Sequence, residues 1–197
     1  MGKTAPVQRV SRRAFVSRLL GSLPDALVIT GLGSAAYDVF AAGDRERNYY
    51  LWGAMGGACA IGLGLALAQP NQSVVVVTGD GELLMGIGSL GTIGVKRPKN
   101  LSIVVLDNGH YGETGMQASH TDSGVDLVGV AKACGIAQTL DVTDQAGLEK
   151  LAGLLVSYKE TLFARVRIAA EETGRVLPCK DGVELKLRFR KAVAAAG

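Results

Sequence analysis

Two apolar runs of the chain each end on a short polar sequence, and this pairing limits the possible folds more than any other feature. Residues 73–78 read Ser-Val-Val-Val-Val-Thr and lead into Gly79-Asp80-Gly81-Glu82. Residues 101–106 read Leu-Ser-Ile-Val-Val-Leu and lead into Asp107-Asn108-Gly109, and 25 residues separate Gly81 from Asp107. A gap of that size has room for one helix, so the two runs are predicted to be parallel strands joined by a crossover helix.

The rest of the chain repeats this alternation of apolar strands with helices. Helices are predicted at residues 8–23, 34–42, 57–69, 83–94, 125–134 and 144–158, and strands at 26–30, 73–78, 101–107, 136–140 and 162–168. Two segments, 43–57 and 108–123, are predicted to be irregular. Alternation of this kind is typical of βαβ units, so we expect an α/β fold with a three-layer, doubly wound parallel sheet.

Length and composition narrow the class of protein. The 197 residues suffice for one domain with a substantial core. We expect that domain over residues 1–173, followed by a polar tail, 174–197, that packs on a neighbouring chain. A net charge of +3 gives no case for nucleic-acid binding, and no apolar run is long enough for a membrane span. The three cysteines form no Cys-x-x-Cys pair, which is typical of reduced thiols in a cytoplasmic protein.

Asp80 and Asn108 follow neighbouring strands, where an open parallel sheet gathers its ligands. Carboxylate and amide oxygens are ligands that Mg²⁺ accepts, usually together with phosphate oxygens. The glycines on either side, Gly79 and Gly81, would let the backbone N–H groups of Gly81 and Glu82 approach a phosphate closely. The alternative for each motif alone is an ordinary turn. Together they predict a site for Mg²⁺ and a diphosphate.

With these motifs the sequence resembles the thiamine diphosphate-dependent enzymes, whose signature is Gly-Asp-Gly followed, one helix later, by Asn-Asn. Here Asp107 replaces the first asparagine of the pair, a departure that several decarboxylases of the family share. The resemblance implies that the side chains of Asp80 and Asn108 bind Mg²⁺ together with the backbone oxygen of His110. Tyr111 and Gly112, which follow directly, are then expected beside the cofactor.

A second stretch supports the resemblance. Leu51-Trp52-Gly53-Ala54-Met55-Gly56 stands where the family holds the pyrimidine ring of the cofactor. By that resemblance the Gly53 carbonyl accepts from the cofactor's amino group, Ala54 lies beside the ring, and Met55 wedges the cofactor into its bent shape. The alternative for Met55 is an ordinary core methionine.

The turn after the first predicted strand is another candidate for the cofactor. Gly33 and Ser34 are expected to neighbour the diphosphate. A dinucleotide site is excluded because no third glycine follows Gly31 and Gly33 at the required place.

His110 and His120 are the only histidines, and both lie in the loop after the second motif. Histidine can transfer protons near neutral pH, so both are candidate catalytic residues. The alternative for each is a structural hydrogen bond within the loop. Glu113 and Gln117, in the same loop, are further candidates for contact with substrate.

The stretch from Leu106 to Gln117 is especially similar to sulfopyruvate and phosphonopyruvate decarboxylases. The resemblance implies decarboxylation of a small anionic 2-oxoacid, with the cofactor as electron sink. In that family a glutamate on a pyrimidine-binding domain activates the cofactor, and an ordinary domain's worth of sequence for it is not found here. We therefore expect a separate α subunit to supply the glutamate, in at least an α₂β₂ assembly.

Three other functions remain open at this point. A 2-oxoacid:ferredoxin oxidoreductase subunit shares the cofactor motifs, although the cysteines here are not grouped for an iron–sulfur cluster. A carboligase of the acetolactate synthase type uses the same cofactor chemistry. A subunit that binds the cofactor for regulation, without turnover of its own, is the third.

Overall fold

A parallel sheet of six strands organises the computed structural model, which describes residues 10–157, 160–171 and 173–195. The strands are β1 (Leu27–Thr30), β2 (Asn48–Tyr50), β3 (Val74–Gly79), β4 (Leu101–Asp107), β5 (His110–Tyr111), β6 (Gln117–Ala118), β7 (Gln138–Val142) and β8 (Leu162–Arg167). The sheet order is β2-β1-β3-β4-β8-β7, with every pairing parallel, while β5 and β6 form a separate antiparallel ribbon.

Helices cover both faces of this sheet. They are α1 (Arg12–Gly21), α2 (Ser34–Ala41), α3 (Ala58–Ala68), α4 (Asp80–Met85), α5 (Ser89–Lys96), α6 (Leu127–Ala133), α7 (Gln145–Ser157) and α8 (Gly182–Ala194). One apolar cluster joins the sheet to α1, α2 and α7, and a second joins it to α3, α5 and α6. The predicted three-layer α/β fold is therefore confirmed. None of the helices described is long and apolar enough to cross a membrane.

The central strands β3 and β4 are buried along almost their whole length. A strand covered on both faces needs apolar residues at every position, which explains the unbroken runs in the sequence. In β3 and β4 the register pairs Gly79 with Leu106, so both strands end at the same edge of the sheet. Asp80 and Asn108, the next residues to project from that edge, are brought together by this register.

The predicted helix over residues 83–94 was wrong in its start and its continuity. Helix α4 begins at Asp80, and the chain turns at residues 86–88 before α5 begins. At this turn the backbones of Gly86 and Gly56 lie in close contact. A Cβ atom on Gly86 would lie only 1.9 Å from the carbonyl oxygen of Gly56, so only glycine fits there. Both segments predicted to be irregular also contain strands. In the first, β2 pairs with β1 and forms an edge of the sheet, and in the second, β5 and β6 pair with each other.

The C-terminal segment was expected to be a tail, and it instead includes α8, which packs on this chain's own domain. Phe189 lies against Tyr49 with 5.3 Å between ring centroids, and Arg188 pairs with Asp44 at 2.6 Å. The Trp52 indole donates to the carbonyl of Cys179 at 2.8 Å. The boundary at residue 173 and a role of the segment as an interface remain predictions. Residues 8 and 9 of the first predicted helix lie outside the described residues.

Candidate active site

A cleft of about 150 Å³ opens at the carboxyl edge of the sheet, where the turns after β1, β3 and β4 meet. It collects most of the residues that the sequence singled out. Those lining it are Gly33, Ser34, Met55, Gly79, Asp80, Gly81, Glu82, Asn108, His110, Tyr111, Gly112 and Glu113. Their roles toward a cofactor remain predictions, but their convergence on one cleft is a property of the fold.

Four predicted residues do not line this cleft. Gly53 and Ala54 are exposed on the loop before α3. His120 is also exposed, and its Nδ1 lies 3.2 Å from the Tyr111 hydroxyl, so it reaches the cleft only through that tyrosine. Gln117 is turned toward its own loop, where its amide nitrogen donates to the Thr114 carbonyl at 2.8 Å.

Asp80 is a buried carboxylate of the cleft, with 2% of its surface exposed. Its Oδ2 accepts hydrogen bonds from the hydroxyls of Ser119 and Thr121. Burial raises the pKa of Asp80 above the ordinary value, and the two hydroxyl hydrogen bonds oppose that shift. Both hydroxyls contact the same oxygen, so Oδ1 is not engaged by either of them.

Asn108 and His110 form a compact turn beside Asp80. The Asn108 side-chain oxygen accepts from the backbone N–H of His110 at 2.9 Å, and the Asn108 carbonyl lies 2.9 Å from Nδ1 of the His110 ring. Because a carbonyl can only accept, Nδ1 of His110 is the protonated nitrogen. In a neutral ring, Nε2 then carries the lone pair.

The donor set fits a hard cation such as Mg²⁺, because one carboxylate and one amide oxygen face the same cleft. The described residues contain no group of three or more His, Cys, Asp or Glu side chains suited to a metal ion. A magnesium diphosphate does not require one, since the phosphates and water supply the remaining oxygens.

Two glycines let side chains of the cleft approach the backbone closely. A Cβ atom on Gly81 would lie 2.4 Å from the Tyr111 ring, and one on Gly33 would lie 3.0 Å from Cγ of Glu113. Gly33 also has φ of 83°, a conformation that favours glycine. Neither turn carries a side chain of its own at the cleft, and the side chains of Tyr111 and Glu113 pack directly against the backbone there.

Glu82 also has a structural role that could not be predicted from the sequence. Its buried carboxylate accepts from the backbone N–H groups of Gly56 at 2.9 Å and Ala58 at 3.4 Å. Burial raises the pKa of Glu82, and these two N–H groups oppose the shift. The side chain thereby ties the loop that carries Met55 to the end of β3.

Two arginines at or near the cleft were also not among the residues predicted from the sequence. Arg12 of α1 lines the cleft, is 4% exposed, pairs with the buried Asp38 and donates to Thr173 at 2.6 Å. Arg165 of β8 pairs with Asp107 at 2.5 Å. A charged residue inside the apolar run Leu-Phe-Ala-Arg-Val-Arg was a signal that it needed a buried partner.

Comparison with known proteins agrees with this geometry. Residues 32–163 match the family model of the thiamine pyrophosphate enzyme C-terminal TPP binding domain. The chain is 44% identical to sulfopyruvate decarboxylase subunit beta of Methanocaldococcus jannaschii over 110 residues. This alignment covers 56% of this chain and 58% of that protein. It is 47% identical to phosphonopyruvate decarboxylase of Streptomyces viridochromogenes, over 94% of this chain and 47% of that protein. The chain thus spans about half the length of these two relatives.

Another relative is matched along nearly all of its length. The sulfopyruvate decarboxylase subunit beta of Methanococcus maripaludis is 35% identical, over 93% of this chain and 98% of that protein. Among solved structures, benzoylformate decarboxylase from Polynucleobacter necessarius superposes with a TM-score of 0.67 at 21% identity, over 88% of this chain and 36% of that one. At that identity the likeness supports the fold alone.

Proposed function

The chain belongs to the thiamine pyrophosphate enzymes, and we propose that it forms the diphosphate- and metal-binding side of a 2-oxoacid decarboxylase. The observation that carries the proposal is the meeting of Asp80 and Asn108 in one glycine-lined cleft at the ends of adjacent strands. A carboxylate, an amide oxygen and backbone N–H groups are the kinds of group that bind a magnesium diphosphate.

In this proposal Asp80, Asn108 and the backbone oxygen of His110 hold Mg²⁺. The turns at Gly33 and Gly81 hold the diphosphate through backbone N–H groups. Bound thiamine diphosphate supplies an electron sink that accepts the charge left when CO₂ departs. This chain's residues bind and orient that group. Glu82 accepts a hydrogen bond from the backbone of the Met55 loop and so holds that loop close to the metal site.

His110 is the proposed proton-transfer group of this chain. It lines the cleft, and its Nδ1–H is held by the Asn108 carbonyl, which points the basic Nε2 away from the backbone. His120 is the second candidate, since it contacts the Tyr111 hydroxyl at 3.2 Å. That hydroxyl is the proposed relay of a proton between His120 and the cleft, because Tyr111 lines the cleft.

The activating glutamate is proposed to come from a partner α subunit with a pyrimidine-binding domain. Exposure of Gly53, Ala54 and Met55, the residues expected at the pyrimidine end, supports a partner at this side of the cleft. The names of two relatives, which are beta subunits, support the same assembly. An α₂β₂ complex in the cytoplasm is the smallest closed arrangement that the proposal requires.

The proposed substrate is a small 2-oxoacid with a second anionic group, a sulfonate or a phosphonate. Support comes from the relatives, whose names are sulfopyruvate and phosphonopyruvate decarboxylase. Within this chain Arg12 lines the cleft, but its guanidinium is already paired with the buried carboxylate of Asp38, so the partner subunit is proposed to supply the remaining positive charge.

The test is a reconstitution assay. The chain is mixed with the product of the adjacent gene, thiamine diphosphate and Mg²⁺, and CO₂ release is measured from sulfopyruvate, phosphonopyruvate, pyruvate and 2-oxoglutarate. We expect CO₂ from one of the doubly anionic acids only when both proteins are present. Asp80→Asn should abolish it, while Asp25→Asn, an exposed aspartate before β1, should not. Reduction of ferredoxin, a carboligation product or no turnover would favour one of the three alternatives instead.

A further inference from the structure

Two hydroxyl groups clasp the carboxylate that is proposed to bind the metal. We infer that Ser119 and Thr121 are positioning residues for Asp80, and that Asp107 and Arg165 anchor this clasp to the sheet. The inference rests on the proposed function only for the role of Asp80 toward Mg²⁺. The clasp itself is a set of contacts within this chain.

The contacts are short and buried. The Ser119 hydroxyl donates to Oδ2 of Asp80, and the Thr121 hydroxyl lies 3.1 Å from the same oxygen. The two hydroxyls are 2.9 Å apart. Ser119 is 2% exposed and Thr121 is 8% exposed, so water does not compete for these groups. With Oδ2 held on this side, the carboxylate has a fixed rotation and presents Oδ1 for another ligand.

Thr121 also contacts a second carboxylate. Its hydroxyl lies 2.8 Å from Oδ1 of Asp107. A hydroxyl has one proton, so Thr121 donates to Asp80 or to Asp107 but not to both at once. Ser119 supplies a separate donor, which keeps Asp80 hydrogen-bonded in either case. The two hydroxyls together can therefore donate to both carboxylates at once, which neither hydroxyl could do alone.

Asp107 in turn is fixed by two further donors. Arg165 donates to its Oδ2 at 2.5 Å, and the backbone N–H of Gly109 donates to its Oδ1 at 3.0 Å. Arg165 lies on β8, directly beside β4, with Val105 as its register partner. The chain of contacts thus runs from the sheet through Asp107 and Thr121 to Asp80.

The clasp also sets the position of the loop that follows Asn108. The backbone N–H of Ser119 donates to the Gly109 carbonyl at 2.7 Å, which closes the ribbon of β5 and β6 at its base. This ribbon carries His110 and Tyr111, and His120 lies between the two clasp residues. Loosening the clasp should therefore loosen both the carboxylate and the loop.

The experiment uses the full chain in four forms: wild type, Thr121→Val, Thr121→Ser and Thr161→Val. Thr121→Val keeps the shape and removes the hydroxyl, whereas Thr121→Ser keeps the hydroxyl. Thr161→Val is the matched control, because Thr161 is also buried with a hydroxyl bond, to the Pro98 carbonyl at 2.7 Å, but lies at the opposite edge of the sheet. Two quantities are measured: affinity for thiamine diphosphate with Mg²⁺ by calorimetry, and hydrogen exchange of residues 109–121 in the free chain.

Thr121→Val is expected to weaken Mg²⁺-dependent binding about 10- to 100-fold, as loss of a group that orients a metal ligand does. It should also raise exchange in 109–121, while Thr121→Ser and Thr161→Val behave like wild type. Equal affinity and equal exchange in Thr121→Val and wild type would overturn the inference. If wild type binds no cofactor even when it is mixed with the partner α subunit, the proposed function is contradicted for this chain, and the exchange data decide the clasp by themselves.

Discussion

Replacing Asp107 by asparagine is a demanding test of the structure, because asparagine is the usual residue of the family's motif at this position. Here Asp107 and Arg165 form an ion pair in which the side chains are 3% and 9% exposed. In Asp107→Asn the Arg165 guanidinium keeps its charge but faces a neutral amide where its nitrogen now lies 2.5 Å from a carboxylate oxygen. Breaking one side of a buried pair costs about 3–5 kcal/mol, so we expect a loss of that order in the free energy of unfolding.

The double variant Asp107→Asn/Arg165→Met should recover most of that loss. With the charge removed from both sides, replacement of a buried pair by apolar or neutral groups is often close to neutral. The amide introduced in place of the Asp107 carboxylate would still offer an oxygen to Gly109 and Thr121. The cycle of four proteins is therefore expected to show a coupling energy of about 2–4 kcal/mol.

Urea unfolding, followed through the single tryptophan and through far-ultraviolet circular dichroism, measures each corner of the cycle. The matched control is Asp141→Asn, which breaks the pair between Asp141 of the edge strand β7 and Arg167 of β8, at 2.8 Å. That pair is 45% and 35% exposed, so its loss should cost less than about 1 kcal/mol. A cost for Asp107→Asn no greater than that for Asp141→Asn, or strictly additive effects in the double variant, would refute the reasoning.

Two further outcomes concern stability. Gly86→Ala should lower the free energy of unfolding by about 1–3 kcal/mol or more, because its Cβ would lie 1.9 Å from the Gly56 carbonyl oxygen, whereas Gly88→Ala meets no atom within 4 Å and should be nearly neutral in thermal unfolding. Equal melting temperatures for the two variants would show that the close contact is absent. Tyr50→Phe should cost about 1 kcal/mol at pH 7, since the Tyr50 hydroxyl donates to Asp44 at 2.8 Å. Because burial raises the pKa of Tyr50, its stabilising contribution is complete below the unfolded pKa near pH 10 and is lost as the pH rises toward the folded value. Wild type should lose about 1.4 kcal/mol per pH unit above pH 10, so the gap between wild type and Tyr50→Phe in urea should close within about one pH unit, and a constant gap would contradict this.

The sheet could be predicted from the sequence because its strands are encoded locally. The run 101–107 was predicted to the residue and the run 73–78 to within one residue, since strands buried on both faces need unbroken apolar sequence. The break between α4 and α5 could not be predicted in this way. It depends on the contact between Gly56 and Gly86, which lie far apart in the sequence.

The same distinction applies to the site. Asp80 and Asn108 could be placed together from the sequence, because parallel strands in register end at one edge. The contacts of Glu82 with Gly56 and of Ser119 with Asp80 depend on how loops fold back, and no spacing rule encodes that. Asp107 was recognised only as a departure from the family's motif. Its reason became visible once Arg165 was found beside it on the next strand.

The location of the metal tests the central claim most directly. Crystals of the chain grown with thiamine diphosphate and Mn²⁺, as an anomalous scatterer in place of Mg²⁺, would reveal the ion by its anomalous signal. The proposal predicts one peak in the cleft, about 2.2 Å from a side-chain oxygen of both Asp80 and Asn108, with the diphosphate over Gly81. A peak that contacts neither side chain, or thiamine diphosphate bound away from this cleft, would contradict the claim that this edge of the sheet is the cofactor site.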